Sequence, residues 1–450
     1  MCDEIPAILS HNPPKKQMHS IISIQRALLA TSLLGSFSAR AGNEPAPSET
    51  PASTSTATGL LFGKFPGETA WDRAWSAATL YKDESNPILQ EFAFQGQLQV
   101  QYADGDAGGH FDIEDFKNGS AANEQAVWGD KFEARRARLG IVAKMFQNWK
   151  VQGLIDVDTT EGTSNIYRDI YDLFATYAPS DALNICFGKT EVKFSRDYEI
   201  SSKEILTFER DYLSNVLFPG ELTGAWVKGK GIADYWLYEL GAYTNDRGRE
   251  FGSFDQGAVM LGKIGYDFAS QAGLDTAVVS FNYLHNTQPG YKEKDTDNFF
   301  ASASPAFTDS IALTGDITQG RFGLVSELLY GFGFQGNAEQ AGVTKAIKQS
   351  DVFGISIVPS YFIAEGVQLV GRVQLATSAD ANGLALPNRY DKWAPGEKAD
   401  SGNTYLSTYV GVNYYFYGHK LKLMNGIEYS KLGGGNYDGY TFLSGLRMYF

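Results

Sequence analysis

The sequence predicts an all-β protein, a 16-stranded antiparallel transmembrane β-barrel preceded by a short helix. Three observations carry this. Apolar and polar residues alternate in long runs, the connections between runs alternate long and short, and Gly, Tyr and Phe are abundant without long apolar stretches. The 48 Gly, 25 Tyr and 29 Phe exceed ordinary usage. A mean hydropathy of −0.25 argues against helical spans, each of which needs roughly 20 mostly apolar residues. A net charge of −14 makes nucleic acid a poor partner, because phosphate contact needs a basic footprint.

From the N-terminus, residues 1–41 are expected to be a signal peptide. Residues 27–37 (ALLATSLLGSF) are apolar but too short to span a bilayer, Lys15, Lys16 and Arg26 precede them, and Ala39-Arg40-Ala41 has the small-x-small pattern of a cleavage site. Met18 is an alternative initiator, since the residues before it are unlike an n-region. Cleavage removes Cys2 and leaves Cys186 alone, which excludes a disulfide scaffold; inside a strand-like run, Cys186 reads as a small apolar filler. Residues 42–58 are rich in Pro, Ser, Thr and Ala and read as a flexible linker. Residues 59–89 form an N-terminal periplasmic segment. In it Trp71, Ala74, Trp75, Ala78 and Tyr81 recur at helical spacing, predicting a helix over about 70–82 whose apolar face is a packing surface.

From residue 90 to 450 the period is two. In residues 91–102, Phe92, Phe94, Leu98, Val100 and Tyr102 fall on one face, and Glu91, Gln95, Gln97, Gln99 and Gln101 on the other. That length exceeds the usual 5–6 residues of a globular strand and matches a tilted membrane strand. Strands are predicted at 90–102, 131–146, 148–159, 168–178, 182–191, 221–230, 234–244, 257–268, 275–284, 307–316, 320–333, 351–364, 367–377, 404–417, 419–430 and 439–450. The even count suits a closed bacterial barrel. Gaps at 103–130, 192–220, 285–306, 334–350 and 378–403 are long, and those at 147–148, 179–181, 364–366 and 418 are short. Short turns on one side and long loops on the other are the habit of outer-membrane barrels, and closure pairs every backbone group. Phe92, Tyr102, Phe146, Trp149, Tyr417, Tyr449 and Phe450 lie near strand ends, as interfacial girdles require. Phe450 closes an alternating last strand, similar to the signal that outer-membrane assembly machinery reads.

Several segments resemble the phosphate-selective porin O and P family over roughly residues 85–450. Arg135-Arg136-Ala137-Arg138-Leu139-Gly140 resembles its arginine-rich second strand. Phe187-Gly188-Lys189 with Glu191-Val192-Lys193-Phe194-Ser195 resembles the fifth strand running into the constriction loop, which Ser201-Ser202 and Glu209-Arg210 continue. The resemblance implies a barrel with a constriction loop, here about 192–220, folded into the pore. It also implies a homotrimer in the cell outer membrane, contacting outer-membrane lipid, that passes small hydrophilic solutes or ions by passive diffusion, with a preference for anions such as phosphate.

The candidate pore-lining and anion-binding residues are Arg135, Arg136, Arg138, Lys189, Lys193, Arg196, Lys203 and Arg210. Arg suits this role because its planar fork grips oxyanions bidentately. If Ala137, Leu139 and Ile141 face lipid, Arg136, Arg138 and Lys144 face the lumen. Arg135 then falls on the lipid phase, so a bulge or a rim position is expected there. Lys150, Lys263, Arg321, Arg372, Lys420, Lys422 and Arg447 are further lumen candidates, opposed by Glu91, Asp156, Asp158, Asp172, Asp267, Glu327 and Glu428. The loop adds Asp197, Glu199, Glu204, Glu209 and Asp211, so its charge is nearly balanced. The competing expectation is a transverse field without net preference.

No cofactor or metal is expected. An enzyme would need a His with a Ser or Asp partner; His110, His285 and His419 all fall in predicted loops or turns. The loop acids Asp104 with Asp106, and Asp112 with Glu114 and Asp115, lack an ordered calcium-ligand pattern. The alternative function is a structural or adhesive outer-membrane barrel with a plugged, non-conducting lumen, which ion conductance would separate from a channel.

Overall fold

The computed structural model describes residues 69–106, 131–159, 166–247, 250–289, 307–340, 343–385, 401–435 and 437–450. The expected signal peptide, the linker and the start of the N-terminal segment lie outside these, as do His110 and the acids at 112–115.

Alternation becomes a wall because each strand can bond only to its neighbours once water is excluded. Among the described residues the barrel strands are β2 (Leu89–Asp106), β3 (Lys131–Met145), β4 (Trp149–Val157), β5 (Tyr167–Ser180), β6 (Leu183–Glu191), β7 (Glu221–Ile232), β8 (Trp236–Thr244), β9 (Ala258–Asp267), β10 (Thr276–Asn286), β11 (Asp309–Gln319), β12 (Phe322–Phe332), β15 (Val352–Ala364), β16 (Val367–Ser378), β19 (Thr404–Tyr417), β20 (Leu421–Gly433) and β21 (Asp438–Tyr449). Each pairs antiparallel with the next, and β21 returns to β2 with Gln97 opposite Tyr449 and Asp106 opposite Tyr440, closing sixteen strands. All sixteen coincide with the predicted runs.

The burial pattern is that of a barrel turned inside out. On β19, Leu406, Val410 and Val412 are exposed, while Ser407, Tyr409 and Asn413 are buried. On β16, Leu369, Val373 and Leu375 are exposed and Gln368, Arg372 and Gln374 buried. An outward apolar face and an inward polar one suit lipid outside. Exposed aromatic residues gather at both rims: Phe132, Tyr167, Phe332, Phe353 and Tyr440 toward the long loops, and Phe146, Trp236, Phe322, Tyr361 and Phe450 toward the short turns. Turns of the second rim are tight; Gly366 and Gly418 hold φ of 71° and 51°, which a side chain would strain.

The helix is shorter than predicted. α1 (Ala70–Ser76) begins at a capping box, in which the Thr69 side chain accepts from Asp72 N and the Asp72 side chain accepts from Thr69 N. Bonds from Thr69 and Tyr417 hold the Asp72 carboxyl down at about 2. The chain leaves the helix because β2 has an open edge. Phe450 N donates to Gly96 O at 3.0 Å, and beyond that point β21 has ended. β1 (Thr79–Lys82) takes the vacant edge, Thr79 opposite Ala93 and Lys82 opposite Glu91. The backbone gains ladder bonds there that another helical turn would forgo. Trp75 Nε1 donates to Tyr449 O at 2.6 Å, and Trp71 stacks on Tyr417 at 6.4 Å, so the helix is fastened over the seam.

A second difference lies at 334–350, expected as a loop. β13 (Phe334–Gln340) and β14 (Val343–Gln349) form an antiparallel hairpin continuing β12 and β15. Unlike the barrel strands, this stretch shows no sustained apolar alternation. β17 (Leu384–Ala385) and β18 (Ser401–Gly402) make one further short pair.

Candidate channel constriction

After Glu191 the chain turns into the lumen instead of out to solvent. Residues 192–220 carry two single-turn helices, α2 (Arg196–Glu199), capped by Ser195, and α3 (Tyr212–Leu217), capped by Asp211. Ile205, Phe208, Leu213 and Leu217 are all at most 3% exposed, and the last three form, with inward residues such as Leu329 and Met424, the apolar core between loop and wall.

Successive loop carbonyls are met by inward side chains. Lys422 Nζ donates to Ile205 O at 2.7 Å, Asn413 Nδ2 to Leu206 O at 2.9 Å, Arg447 Nη2 to Phe208 O at 2.6 Å and Arg372 Nη1 to Glu209 O at 2.6 Å. Gln99 Nε2 reaches Ser202 O at 2.8 Å, Asn282 Nδ2 reaches Phe194 O at 2.6 Å, and Tyr212 N donates to Gln374 at 2.7 Å. A loop inside a barrel has no ladder for its own carbonyls, so this wall supplies one.

The eight candidate residues divide. Arg135 falls on the lipid phase by strict alternation, but β3 is bulged there: Gln99 faces Arg136 and Val100 faces Ala134, leaving Arg135 as the extra residue. It turns to the loop and grips Glu209 bidentately at 2.7 and 2.8 Å. Arg136 Nη1 donates to Gln99 Oε1 at 2.8 Å. Arg138 pairs with Asp156 at 2.5 Å and lies 3.4 Å over the Tyr171 ring. Arg210 donates to the carbonyls of Asp197 and Ile200 and covers Tyr198 at 4.3 Å. These four line one cavity of about 220 Å³ between the loop and the β3–β7 wall, with Asp156, Glu191, Glu209 and Glu221 opposite.

The other four do not line that cavity. Arg196 bonds Asp316 and Glu199 on the far side of the loop. Lys203 lies 5.2 Å over the Tyr449 ring. Lys189 is buried on β6 beside Gly188, whose φ is 132°, and Lys193 is half-buried at the loop's start. Arg168 and Tyr171 line the cavity as well and are not among the sequence candidates. Each is the extra residue of a bulge on β5: Leu154 faces Asp172 and Ile155 faces Ile170, leaving Tyr171 over, and Asp156 faces Asp169 and Val157 faces Tyr167, leaving Arg168 over, so the alternation that would have placed them is broken. Arg372, Lys422 and Arg447, placed in the lumen by alternation, hold the loop's backbone.

His285, expected in a loop, is on β10, and its Nδ1 lies 2.8 Å from Asp309 on β11. The pair stands at the long-loop rim beside Tyr283, whose hydroxyl donates to the same carboxylate at 2.5 Å. Cys186 is buried and free, with Sγ 3.4 Å from Thr176 Oγ1.

The profile of the family described as phosphate-selective porin O and P matches residues 106–432. No curated protein sequence matches the chain. Among solved structures, OprB of Pseudomonas putida is similar at 11% identity and a TM-score of 0.52, covering 80% of this chain and 94% of that one. OmpF of Salmonella typhi, in complex with daunomycin, is similar at 12% identity and 0.50, covering 80% and 98%. The outer-membrane channel DcaP of Acinetobacter baumannii is similar at 14% identity and 0.46, covering 80% and 97%.

Proposed function

The chain belongs to the phosphate-selective porin O and P family and is an outer-membrane porin for passive diffusion; from that premise we propose that solutes pass between the constriction loop and the β3–β7 wall, with a modest preference for anions. The observation carrying this is the charge of that passage. Five guanidinium groups, Arg135, Arg136, Arg138, Arg168 and Arg210, face four carboxylates, Asp156, Glu191, Glu209 and Glu221.

Most of that charge is neutralised in place. Arg135 is held by Glu209 and Arg138 by Asp156, so these pairs shape a field across the passage more than a net potential. Arg136 is held by an amide oxygen, which leaves its charge uncancelled by direct contact. An entering anion meets Arg136 and can share the fork of Arg138 or Arg168. Selectivity of this kind biases flux without strong binding, as conduction requires.

The reading includes a signal peptide over 1–41, a linker over 42–58 and a periplasmic N-terminal segment. It also includes a homotrimer, the assembly the family resemblance implies, and no catalytic step. The test is the zero-current potential of the purified protein in a planar bilayer under a KCl gradient, followed by block with phosphate. A chloride-signed potential supports the anion preference. A zero or potassium-signed potential removes it and leaves general diffusion. Absence of conductance would favour the plugged structural barrel, to which the close packing of the loop lends weight.

A further inference from the structure

The loop meets the wall opposite the passage at three carboxylates that the channel reading does not use. Asp197 is in α2, Asp211 caps α3, and Glu327 projects from β12; one oxygen of each lies within 4.8 Å of the others. Their hydrogen bonds are incomplete. Asp197 accepts from Asp211 N at 2.7 Å, and Glu327 from Arg196 N at 2.9 Å and Ser214 Oγ at 2.8 Å. Asp211 Oδ1 accepts from Ser214 N at 2.7 Å, but its Oδ2 has no donor although the residue is only 3% exposed.

The nearby cations are engaged elsewhere. Arg372 pairs with Glu428 at 2.8 Å, and Arg196 with Asp316 and Glu199. Arg210 stands 3.8 Å from the Asp197 carboxylate, and its hydrogen bonds go to the backbone carbonyls of Asp197 and Ile200. Among the described residues neither Asp211 nor Glu327 has an ion-pair partner. Two buried carboxylates without ion-pair partners, beside a third, are costly unless a positive charge or a shared proton joins them. An enclosed cavity of about 30 Å³ adjoins them, lined also by Thr207, Ser326, Ser356 and by Arg372, whose guanidinium is turned to Glu428. That is room for a water or two.

We propose that Asp197, Asp211 and Glu327 bind one calcium ion that cross-links the constriction loop to the barrel wall. Calcium takes oxygens at about 2.3–2.6 Å, so ligands on opposite sides stand up to roughly 5 Å apart, which the present spread allows. Magnesium needs about 2.0–2.1 Å and near-ideal octahedral geometry, a tighter cluster than this one. Waters in the adjoining cavity and the hydroxyls lining it would complete the larger shell. None of the three acids lines the cavity between the loop and the β3–β7 wall, so the ion would fix the passage's width without standing in it.

The experiment titrates terbium(III) into the EDTA-stripped full-length protein in detergent micelles, reading luminescence sensitised by tyrosine; Tyr198 and Tyr212 adjoin two of the ligands in sequence. One saturable site per chain is expected, displaced by calcium at concentrations where magnesium leaves it filled. Glu327→Gln and Asp211→Asn should each weaken it at least tenfold, while Asp181→Asn, in an exposed turn, should not. A wild-type protein without a saturable site, or a site that survives both substitutions, overturns the proposal. So does a melting temperature that calcium and EDTA leave equal, since a shared proton would then suffice. Loss of conductance would bear on the channel reading alone, because these readouts are binding and stability.

Discussion

The constriction loop has two unlike faces. Toward β10–β21 it is held through its backbone, carbonyl by carbonyl, by Lys422, Asn413, Arg447 and Arg372. Toward β3–β7 it meets the lumen through side chains, with Glu209 against Arg135 and Arg210 over Tyr198. The same residue types therefore do different work. A buried cation bonded to a fixed carbonyl sets where the loop lies, whereas a guanidinium beside the passage sets which ions cross.

Substitutions can break or sharpen that contrast. The largest effect is expected from Arg372→Met, which leaves the part-buried Glu428 without its cation and Glu209 O without a donor; losing one partner of a buried pair costs about 3–5 kcal/mol, read as unfolding free energy in micelles. Lys422→Met leaves Ile205 O without its donor and should cost about 1–3 kcal/mol. If neither destabilises the protein, the wall does not anchor the loop. On the other face, Glu209→Gln frees Arg135 and should raise the chloride-to-potassium permeability ratio severalfold, while Arg136→Gln should lower it. Equal ratios in both variants would dissolve the distinction between the faces.

Away from the loop the effects shrink. Trp75→Phe removes the bond to Tyr449 O and should cost about 0.5–1.5 kcal/mol in thermal unfolding. Lys144→Met breaks an ion pair with Glu91 that is half-exposed on the lysine side and should cost under about 1 kcal/mol.

The outward face was legible to the residue wherever alternation held. Leu406, Val410 and Val412 against Ser407 and Asn413 could be assigned without coordinates because lipid and lumen impose opposite chemistry on successive side chains. The bulge at Arg135 was legible as a conflict, since an arginine fixed in lipid is untenable. Which way it resolved depended on Glu209, 74 residues away. At Tyr171 no charge marks the bulge, and Arg168 lies exposed at the start of β5, where a charge raises no conflict with the pattern. The helix expected over 70–82 ends at Ser76: Ala78 and Tyr81 keep helical spacing, but the open edge of β2 that captures β1 is a property of the closed barrel.

By itself the sequence determined the number of strands, their direction and the face each residue shows. Those follow from local alternation and from the requirement that backbone groups pair wherever water is absent. The tertiary structure decided which lumen charges cancel, which carry the loop and which three acids converge, because Asp197, Asp211 and Glu327 come from three separate elements. Charge in a lumen acts through distance, and distance across a barrel is set by closure and by the fold of one loop, neither of which a local pattern records.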